Sequence, residues 1–421
     1  MIYTIEGGAD LVYILAFLNT IVCNSIANVL NPTLSKQIND VLNIPLANCD
    51  TALKQLVMNL AQECVDISKS DWDAHETSWD FERNPLYEQF LECMEDDLQN
   101  VIPSGTTLEE LSKYAVAEAM HPLTTCMNNY KDKWEVNFMR LHRNEEELNR
   151  QFINIYGLQD ELTPDVPLNE ITILQQGEIS IENDRIKWHD DVVMKQFVSY
   201  AVGCMMGRYS IDKPGLILAN QGDGQNEYNE KIPNSRFDVD DDGIIPLMAS
   251  DTVFSDNATL RFKQWLAIAF GDTHLVENLN FIEGALGKSL DDYFVKDFWK
   301  DHKKMYQNRP IYWLFASKKG AFQCIAYMHR MNAYTAERIR TKYLLPHIEW
   351  LIQKQSEMEE NAANLSTAER KKLDSIRKQI DECREYHDRL HVVADEQIAF
   401  DLDDGVVVNY AKFGDVVQKI K

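Results

Sequence analysis

The stretch Asn308-Arg-Pro-Ile-Tyr-Trp-Leu-Phe-Ala-Ser-Lys-Lys-Gly-Ala-Phe-Gln-Cys-Ile-Ala-Tyr-Met-His-Arg330 lies at the centre of a basic and aromatic region, Lys296 to Lys342. We call this region the basic island. It holds eleven lysines and arginines against three acidic residues, whereas the whole chain has a net charge of −25. A local positive charge in an acidic protein marks where a phosphate backbone or an acidic partner can dock. The aromatic residues between the cations can pack in a core or stack on bases.

Six cations of the basic island are the candidate DNA contacts: Lys318, Lys319, Arg330, Arg338, Arg340 and Lys342. Lys318 and Lys319 precede Gly320 in a predicted turn, where side chains reach outward. Arg338 and Lys342 are four residues apart, a spacing that predicts one helical face. The alternative is a solvated surface whose cations pair with the protein's own carboxylates.

Length and composition indicate an ordinary globular chain. It has 421 residues, 45% of them hydrophobic, and no apolar run reaches the roughly 18 residues that a membrane span needs. No basic segment precedes an apolar one as in a signal peptide, so we expect no membrane partner and a cytoplasmic protein. The eight cysteines show neither Cys-x-x-Cys nor zinc spacing, which predicts reduced thiols and no metal site.

Hydrophobic periodicity predicts a mainly α fold with minor β content. Apolar residues recur every three or four positions in Asp50–Ser70 and on one face of Asn128–Tyr156, and a further helix is predicted at Thr259–Phe270. Alternation typical of short strands is confined to Ile171–Trp188 and to the tail Ile398–Val408, which is predicted to be either a strand pair or a docking tail around a Gly405 turn.

The last part of the chain predicts an antiparallel helical hairpin. Apolar residues keep a seven-residue rhythm from Leu351 to Leu365, and Ser366-Thr-Ala-Glu369 has the form of a capping box that begins a second helix. We expect four segments in all: a recognition-domain-like end (1–47), a helical spacer domain (48–165), a mixed α/β domain (166–335), and the hairpin with its tail (336–421).

Three motifs resemble functional sites but lack an essential part. Asp238-x-Asp240-x-Asp242-Gly243 matches the first half of a calcium loop, yet the twelfth position is Ala249 instead of a glutamate. Gly284–Ser289 resembles a phosphate-binding loop without its first glycine and follows a helix. Asn84-Pro-Leu-Tyr87 resembles the Asn-Pro-Pro-Tyr motif of adenine methyltransferases, but leucine replaces the second proline and no strand precedes it. We reject all three as functional sites.

An aromatic loop follows the first long predicted helix. Trp72, Trp79 and Phe81 lie in or beside it, and we interpret the loop as a plug that packs against the core.

Several segments, in the same order along the chain, resemble the C-terminal half of PglX, the adenine-specific DNA methyltransferase of BREX phage-resistance systems. The segments span nearly the whole chain and are Glu76–Phe81, Asn144–Asn149, Ile155–Pro164, Tyr200–Gly215, Asp242–Pro246, Arg309–Phe315, Lys319–Phe322, His329–Arg330, Ala336–Thr341 and Asp403–Val406.

The resemblance implies the part of an N6-adenine methyltransferase that scaffolds and recognises double-stranded DNA. The full-length family uses S-adenosylmethionine, but this chain has neither a glycine-rich loop for that cofactor after a strand nor an intact Asn-Pro-Pro-Tyr. We therefore expect no cofactor here and no activity unless another polypeptide supplies the methyltransferase domain. The first 47 residues resemble the end of a target-recognition domain, so Met1 would lie within a truncated protein. Other BREX proteins are further candidate partners.

Two other classes of function stay open. The net charge of −25 repels DNA at long range and suits basic partners, which favours an acidic protein-interaction module of the defence complex with no direct DNA contact. A stand-alone enzyme has the least support, because no cluster of carboxylates, histidines or nucleophiles stands out.

Overall fold

The computed structural model of the chain describes residues 8–33, 37–99, 121–360 and 365–420. Helices account for most of these residues, and strands form only two small sheets. This confirms the predicted mainly α fold with minor β content.

Helices and strands are numbered along the described residues. The helices are α1 (Gly8–Leu18), α2 (Ile21–Leu30), α3 (Ile38–Leu42), α4 (Thr51–Asp73), α5 (Pro85–Gln99), α6 (Leu123–Tyr156), α7 (Asp190–Met205), α8 (Gln225–Lys231), α9 (Ala258–Phe270), α10 (Leu275–Leu286), α11 (Leu290–Lys296), α12 (Phe298–Met305), α13 (Thr335–Arg338), α14 (Leu345–Glu360), α15 (Thr367–Glu396) and α16 (Val406–Ala411). The strands are β1 (Ile179–Glu182), β2 (Arg185–Trp188), β3 (Ile244–Pro246), β4 (Tyr312–Ala316) and β5 (Gln323–Tyr327).

The chain divides into two compact units, each made of two segments. The N-terminal unit takes the described residues of Met1–His75 and Asn128–His189, and the C-terminal unit takes those of Glu76–Met127 and Asp190–Lys421. The four-segment division expected from the sequence stays a prediction.

An apolar core holds the N-terminal unit together. Asp50 begins α4 by accepting hydrogen bonds from the N–H groups of Ala52 and Leu53, which would otherwise lack partners at a helix start. Val57 of α4 and Phe152 of α6 are fully buried in one cluster with side chains of α1 and α2. Burying such a side chain contributes about 1.5–3 kcal/mol. Helices α4 and α6 were both predicted from their apolar periodicity.

The first two helices are strongly apolar in sequence. Among the described residues, no single helix is long and apolar enough to cross a membrane, although Leu11–Leu18 and Ile21–Leu30, bent by 71°, meet that test as a pair. Tyr13, Phe17 and Val22 of this pair are buried in the core of the N-terminal unit.

A small hairpin confirms part of the predicted β content. β1 and β2 pair antiparallel, with Glu182 opposite Arg185. Asn183 and Asp184 between them have φ values of 52° and 56°, as a two-residue hairpin turn requires. The alternating residues Ile171–Ile173 are not a strand, and so that prediction was wrong. Ile171 and Ile173 lie in a loop, and their side chains are buried.

A three-stranded antiparallel sheet of order β3-β5-β4 lies in the C-terminal unit. Every residue of β4 and β5 is buried. A strand covered on both faces has no alternation of polar and apolar residues, and this explains why the sequence did not predict these strands. The turn between them carries Lys318 and Lys319, at the place where a turn was predicted.

The predicted antiparallel helical hairpin is confirmed in α14 and α15. Arg377 of α15 pairs with Glu359 near the end of α14, at 2.8 Å. Near the start of α14, the ring of Phe322 lies between the two helices. Its centroid is 6.1 Å from that of His347 in α14 and 6.1 Å from that of Tyr386 in α15. The predicted capping box is present, since Ser366 and Glu369 each accept the other's N–H.

The tail forms helix where strands were predicted. Residues Leu402–Asp404 form a 3₁₀ turn and α16 follows directly after Gly405, so the strand pair, one of the two alternatives for this segment, was wrong. Asn409 ties the tail by donating from its side chain to the Gly405 carbonyl at 3.1 Å. Farther on, Val417 bridges to Phe315 of β4, and the Gln418 N–H donates to the Leu314 carbonyl at 2.8 Å.

Candidate functional site

The turn between β4 and β5 presents the first two candidate DNA contacts. Lys318 and Lys319 are exposed, and neither makes an ion pair in the part of the chain that the structure describes. Below them, one oxygen of Glu382 in α15 accepts the Lys319 N–H at 2.6 Å, the Ser317 hydroxyl at 2.6 Å and the Ala321 N–H at 3.3 Å. The backbone that carries the two lysines is therefore fixed, while their charges stay available.

Arg330 is placed differently from the other candidates. Only 7% of it is exposed. Its guanidinium donates to the carbonyls of Asp240 at 2.6 Å, Asp241 at 2.9 Å and Met206 at 3.2 Å. Gly243 lies so close that an added Cβ would stand 3.1 Å from the Arg330 side chain. These contacts use the guanidinium to hold the loop before β3 in place.

Arg340 and Lys342 both pair with carboxylates. Arg340 makes a bidentate ion pair with Glu337, in which Nε donates to Oε2 and Nη2 to Oε1, both at 2.8 Å. Lys342 lies in a π-helical turn, Ile339–Leu344, rather than in a regular α-helix, and its ammonium is 2.8 Å from Asp242. Half-buried Arg338 has no ion pair among the described residues.

Helix α15 connects the turn to the Arg338–Lys342 segment. Glu382 contacts the turn, and five residues farther on His387 lies 3.0 Å from the Arg340 guanidinium. Five residues correspond to about 7.5 Å along a helix. The structure thus brings Lys318, Lys319 and the segment around Arg340 to one helix, and places Arg330 in the interior.

Ion pairs also neutralise the beginning of the basic island. Lys296 pairs with Asp292, and Lys300 lies 3.2 Å from Asp297. The exposed cations that keep their charge unpaired among the described residues are therefore fewer than the sequence count suggests.

A pocket of about 480 Å³ lies elsewhere in the C-terminal unit. Four separate segments line it: the link between α4 and α5 with Glu76 and Trp79, the residue Arg208 after α7, the end of α12 through Arg309, and His329 after β5. Trp79 is 94% exposed, so the expectation that it packs as a plug was wrong. Phe81 of the same loop is buried as expected, whereas Trp72 is 59% exposed.

Arg208 is the central cation of this pocket. Its Nε donates to the Tyr209 hydroxyl and its Nη1 to the Tyr327 hydroxyl, both at 3.1 Å. Among the described residues, no carboxylate lies within 4.0 Å of its guanidinium. A largely enclosed cation is costly when no opposite charge pairs with it, and its phenol partners supply only neutral dipoles.

Glu76 adds a buried carboxyl group to the same wall. It is 7% exposed; Oε2 accepts the Tyr306 hydroxyl at 3.2 Å, and Oε1 has no hydrogen-bond partner in the described part of the chain. Burial raises the pKa of Glu76 to about 7, against the opposing charge of Arg208. Near neutral pH this carboxyl is divided between its acid and anionic forms.

Two histidines near Arg208 are neutral. Burial, with the charge of Arg208, lowers the pKa of His329 to about 4 and that of His302 to about 3. His302 Nε2 accepts the N–H groups of Ile311 and Tyr312 at 3.1 and 3.2 Å, which places its proton on Nδ1. The positive charge of the pocket therefore comes from its arginines.

The three rejected motifs have structural roles. Asn84 accepts the N–H of Leu86 at 3.0 Å and begins α5, and Tyr87 is fully buried. Gly284 lies inside α10 and Ser289 caps α11. Asp240 accepts the Ile244 N–H at 3.0 Å and thereby shapes the loop before β3.

Comparison with curated proteins gives long matches. The adenine-specific methyltransferase BrxX of Escherichia coli O9:H4 (strain HS) is 34% identical over 433 residues, covering 97% of this chain. The adenine-specific methyltransferase PglX of Lacticaseibacillus casei (strain Zhang) is 36% identical over 418 residues, covering 96% of it. The chain is a homologue of PglX. It spans about a third of the length of both relatives, 33% and 31% respectively. No family model matches the chain.

The pocket residues were not predicted as a site from the sequence. Glu76, Trp79, Arg208, Arg309 and His329 all lie in segments that resemble PglX, yet the sequence did not indicate that they meet. The only signal was their residue type, since an arginine and a tryptophan within such short segments can serve either packing or binding.

Proposed function

We propose that this PglX homologue forms the DNA-recognition and scaffold portion of a BREX-type N6-adenine DNA methyltransferase that acts in host DNA modification and phage defence. The observation that carries the proposal is the match to two proteins named adenine-specific methyltransferases over 96–97% of the chain. The exposed lysines of the β4–β5 turn, Lys318 and Lys319, also support it, because they can contact phosphates.

Lys318 and Lys319 have the properties of a phosphate contact. Their backbone is held by Glu382, so little backbone conformational entropy is lost when a ligand binds. Their ammonium groups have no ion pair among the described residues, so no internal contact has to break. Two such cations would displace counterions from the DNA backbone, and this displacement drives affinity at low salt.

Arg338 is the third cation that we include in this surface, and Arg340 and Lys342 lie beside it. The last two would have to share their charge with Glu337 and Asp242, and we expect them to contribute less. Arg330 is excluded, because its guanidinium already donates to three carbonyls.

We expect no methyl transfer by this chain without a methyltransferase domain. A cofactor loop and an intact Asn-Pro-Pro-Tyr are both needed to hold S-adenosylmethionine and to stabilise charge on the adenine amine, and the sequence contains neither.

Duplex DNA binding at several salt concentrations tests the proposal. Replacing Lys318 and Lys319 with alanine should weaken binding to all sequences and flatten the salt dependence by about 0.9 per lost contact. Lys371 and Lys372, an exposed lysine pair in α15, offer a control with the same charge change. Equal effects of the two double variants, or no DNA binding by the unaltered chain, would overturn the proposal.

A second candidate is an acidic interaction module of the defence complex. The pairing of Lys296, Lys300, Arg340 and Lys342 with the chain's own carboxylates favours it, because it reduces the charge that the basic island can offer to DNA. In that case replacing Lys318 and Lys319 would not change the affinity for basic partners. Neither the unaltered chain nor this double variant would bind DNA.

A further inference from the structure

The pocket that Arg208 lines holds a positive charge with no ion pair within 4.0 Å among the described residues. Arg208 is surrounded by phenol groups, and among the described residues its Nη2 makes no hydrogen bond and no carboxylate lies within 4.0 Å. Arg309 stands exposed at the same pocket without an ion pair in the described chain. Enclosed charges in proteins are ordinarily paired, so the missing opposite charge points to an anionic ligand.

The backbone at the pocket mouth is held in an uncommon shape. Gln307 and Asn308 have φ values of 50° and 62°, a left-handed backbone conformation that residues other than glycine rarely adopt. The Asn308 N–H closes this turn on the Lys303 carbonyl at 2.8 Å. The turn brings Arg309 to the pocket, and strained turns of this kind are concentrated at binding sites.

The pocket also offers a surface for a flat aromatic group. Trp79 is 94% exposed although it lines the cavity, so its indole ring is uncovered. Base stacking on such a ring contributes about 1–3 kcal/mol. A volume of about 480 Å³ lies within the range of small-molecule sites.

We propose that this pocket binds a nucleoside monophosphate, with the terminal phosphate on Arg208 and Arg309 and the base stacked on Trp79. Arginine suits this role because its planar guanidinium presents paired N–H groups to phosphate oxygens. The terminal phosphate belongs either to a free mononucleotide or to the 5′ end of a DNA strand, since both are phosphate monoesters attached to a nucleoside.

Glu76 fits the proposed ligand. Its Oε1 is buried without a partner in the described part of the chain. Because burial raises the pKa of Glu76 to about 7, the protonated carboxyl can donate a hydrogen bond to a phosphate oxygen instead of repelling it.

Calorimetry with deoxyadenosine monophosphate tests the site on the unaltered chain. We expect saturable binding with a Kd of about 1 mM or tighter, and weaker binding of both deoxyadenosine and inorganic phosphate, since each lacks one half of the ligand. Absence of saturable binding at about 10 mM nucleotide, or equal binding of phosphate alone, would overturn the proposal.

Variants at exposed positions locate the binding without disturbing the core. Arg309→Gln and Trp79→Ala should each weaken nucleotide binding at least about fivefold, a change of about 1 kcal/mol. Arg384→Gln and Trp72→Ala remove an exposed arginine and an exposed tryptophan elsewhere and should leave binding unchanged. Equal binding by the two pocket variants and the two controls would contradict the assignment.

Two further measurements identify the source of the phosphate and separate this inference from the proposed function. If a DNA end is the ligand, a 5′-phosphorylated oligonucleotide competes with the mononucleotide and its 5′-hydroxyl form does not; if the free nucleotide is the ligand, neither competes. The inference does not rest on DNA recognition by the lysine turn. The Lys318 and Lys319 double variant should bind the mononucleotide normally, whatever happens to its affinity for duplex DNA.

Discussion

The main-chain N–H of Lys319 donates to the carboxylate of Glu382 at 2.6 Å and so attaches the tip of the β4–β5 turn to helix α15. The same oxygen accepts the hydroxyl of Ser317 and the N–H of Ala321. One carboxylate therefore serves three donors from a five-residue turn, and the two exposed lysines lie on a backbone that is fixed from below.

Replacing Glu382 with alanine should loosen this turn. Three donors lose their acceptor, and we expect a loss of about 1–2 kcal/mol, at the lower end for charged hydrogen bonds because the site is partly exposed. Hydrogen exchange at residues 317–321 should become faster. Glu385→Ala removes an exposed glutamate from the same helix and serves as the control. Unchanged exchange in the turn would contradict the role of Glu382.

Arg330→Gln should destabilise the C-terminal unit without acting as a lost phosphate contact. The glutamine cannot reach all three carbonyls of Met206, Asp240 and Asp241, and leaving such groups unpaired costs about 2–4 kcal/mol. Thermal unfolding should shift to lower temperature, while Arg338→Gln should have little effect on it. A change in the salt dependence of DNA binding with unchanged stability would show that Arg330 contacts DNA instead.

The buried carboxyl of Glu76 predicts a pH dependence of stability. Its pKa, raised by burial to about 7, lies above the value in the unfolded chain, so the folded state binds the proton more tightly. The stability that the protonated carboxyl contributes is fully present below the pKa of the unfolded chain and is lost as the pH rises through about 7. Glu76→Gln should therefore gain stability relative to the unaltered protein between pH 5 and pH 8, measured by thermal unfolding. A difference that stays constant with pH would exclude this titration.

His75 predicts a second pH effect, in the N-terminal unit. Burial lowers the pKa of His75, but the hydrogen bond to Glu178 at 2.6 Å and the charges of Glu178 and Asp71 raise it overall. Stability from this pair is present below the ordinary histidine value and is lost as the pH rises through the raised pKa. Glu178→Gln should reduce this dependence, as seen in hydrogen exchange of α4. Glu182→Gln, at an exposed site in β1, should leave it unchanged.

Incubation with S-adenosylmethionine and DNA tests the expected lack of activity. The chain alone should transfer no methyl groups and should show no cofactor binding in calorimetry, because it has no glycine-rich cofactor loop and no intact Asn-Pro-Pro-Tyr. Cofactor binding at micromolar concentration would contradict this prediction. Denatured chain provides the background for both measurements.

Local sequence patterns predicted the long helices but not the central sheet. Helices α4 and α6 each bury one face, so their apolar residues recur at helical spacing. Strands β4 and β5 are covered on both faces, and a uniformly apolar run carries no period that distinguishes a strand.

The placement of the cations depended on contacts between distant residues. Arg330 and Lys319 are both basic residues of one island, yet one lies among carbonyls of a loop about 90 residues away and the other in an exposed turn. The nucleotide pocket was hidden for the same reason, because Trp79, Arg208 and Arg309 come together only in the folded chain.

The bridge between Val417 and Phe315 has a consequence for self-association. β4 is the outer strand of its sheet, and an uncovered outer strand offers its N–H and C=O groups to a strand of another molecule. The tail occupies part of that edge, with the Gln418 N–H on the Leu314 carbonyl. Val417 and Gln418 thus protect this edge from edge-to-edge aggregation. A protein cut after Phe413 would lose both residues and expose the apolar strand β4 to strands of neighbouring molecules.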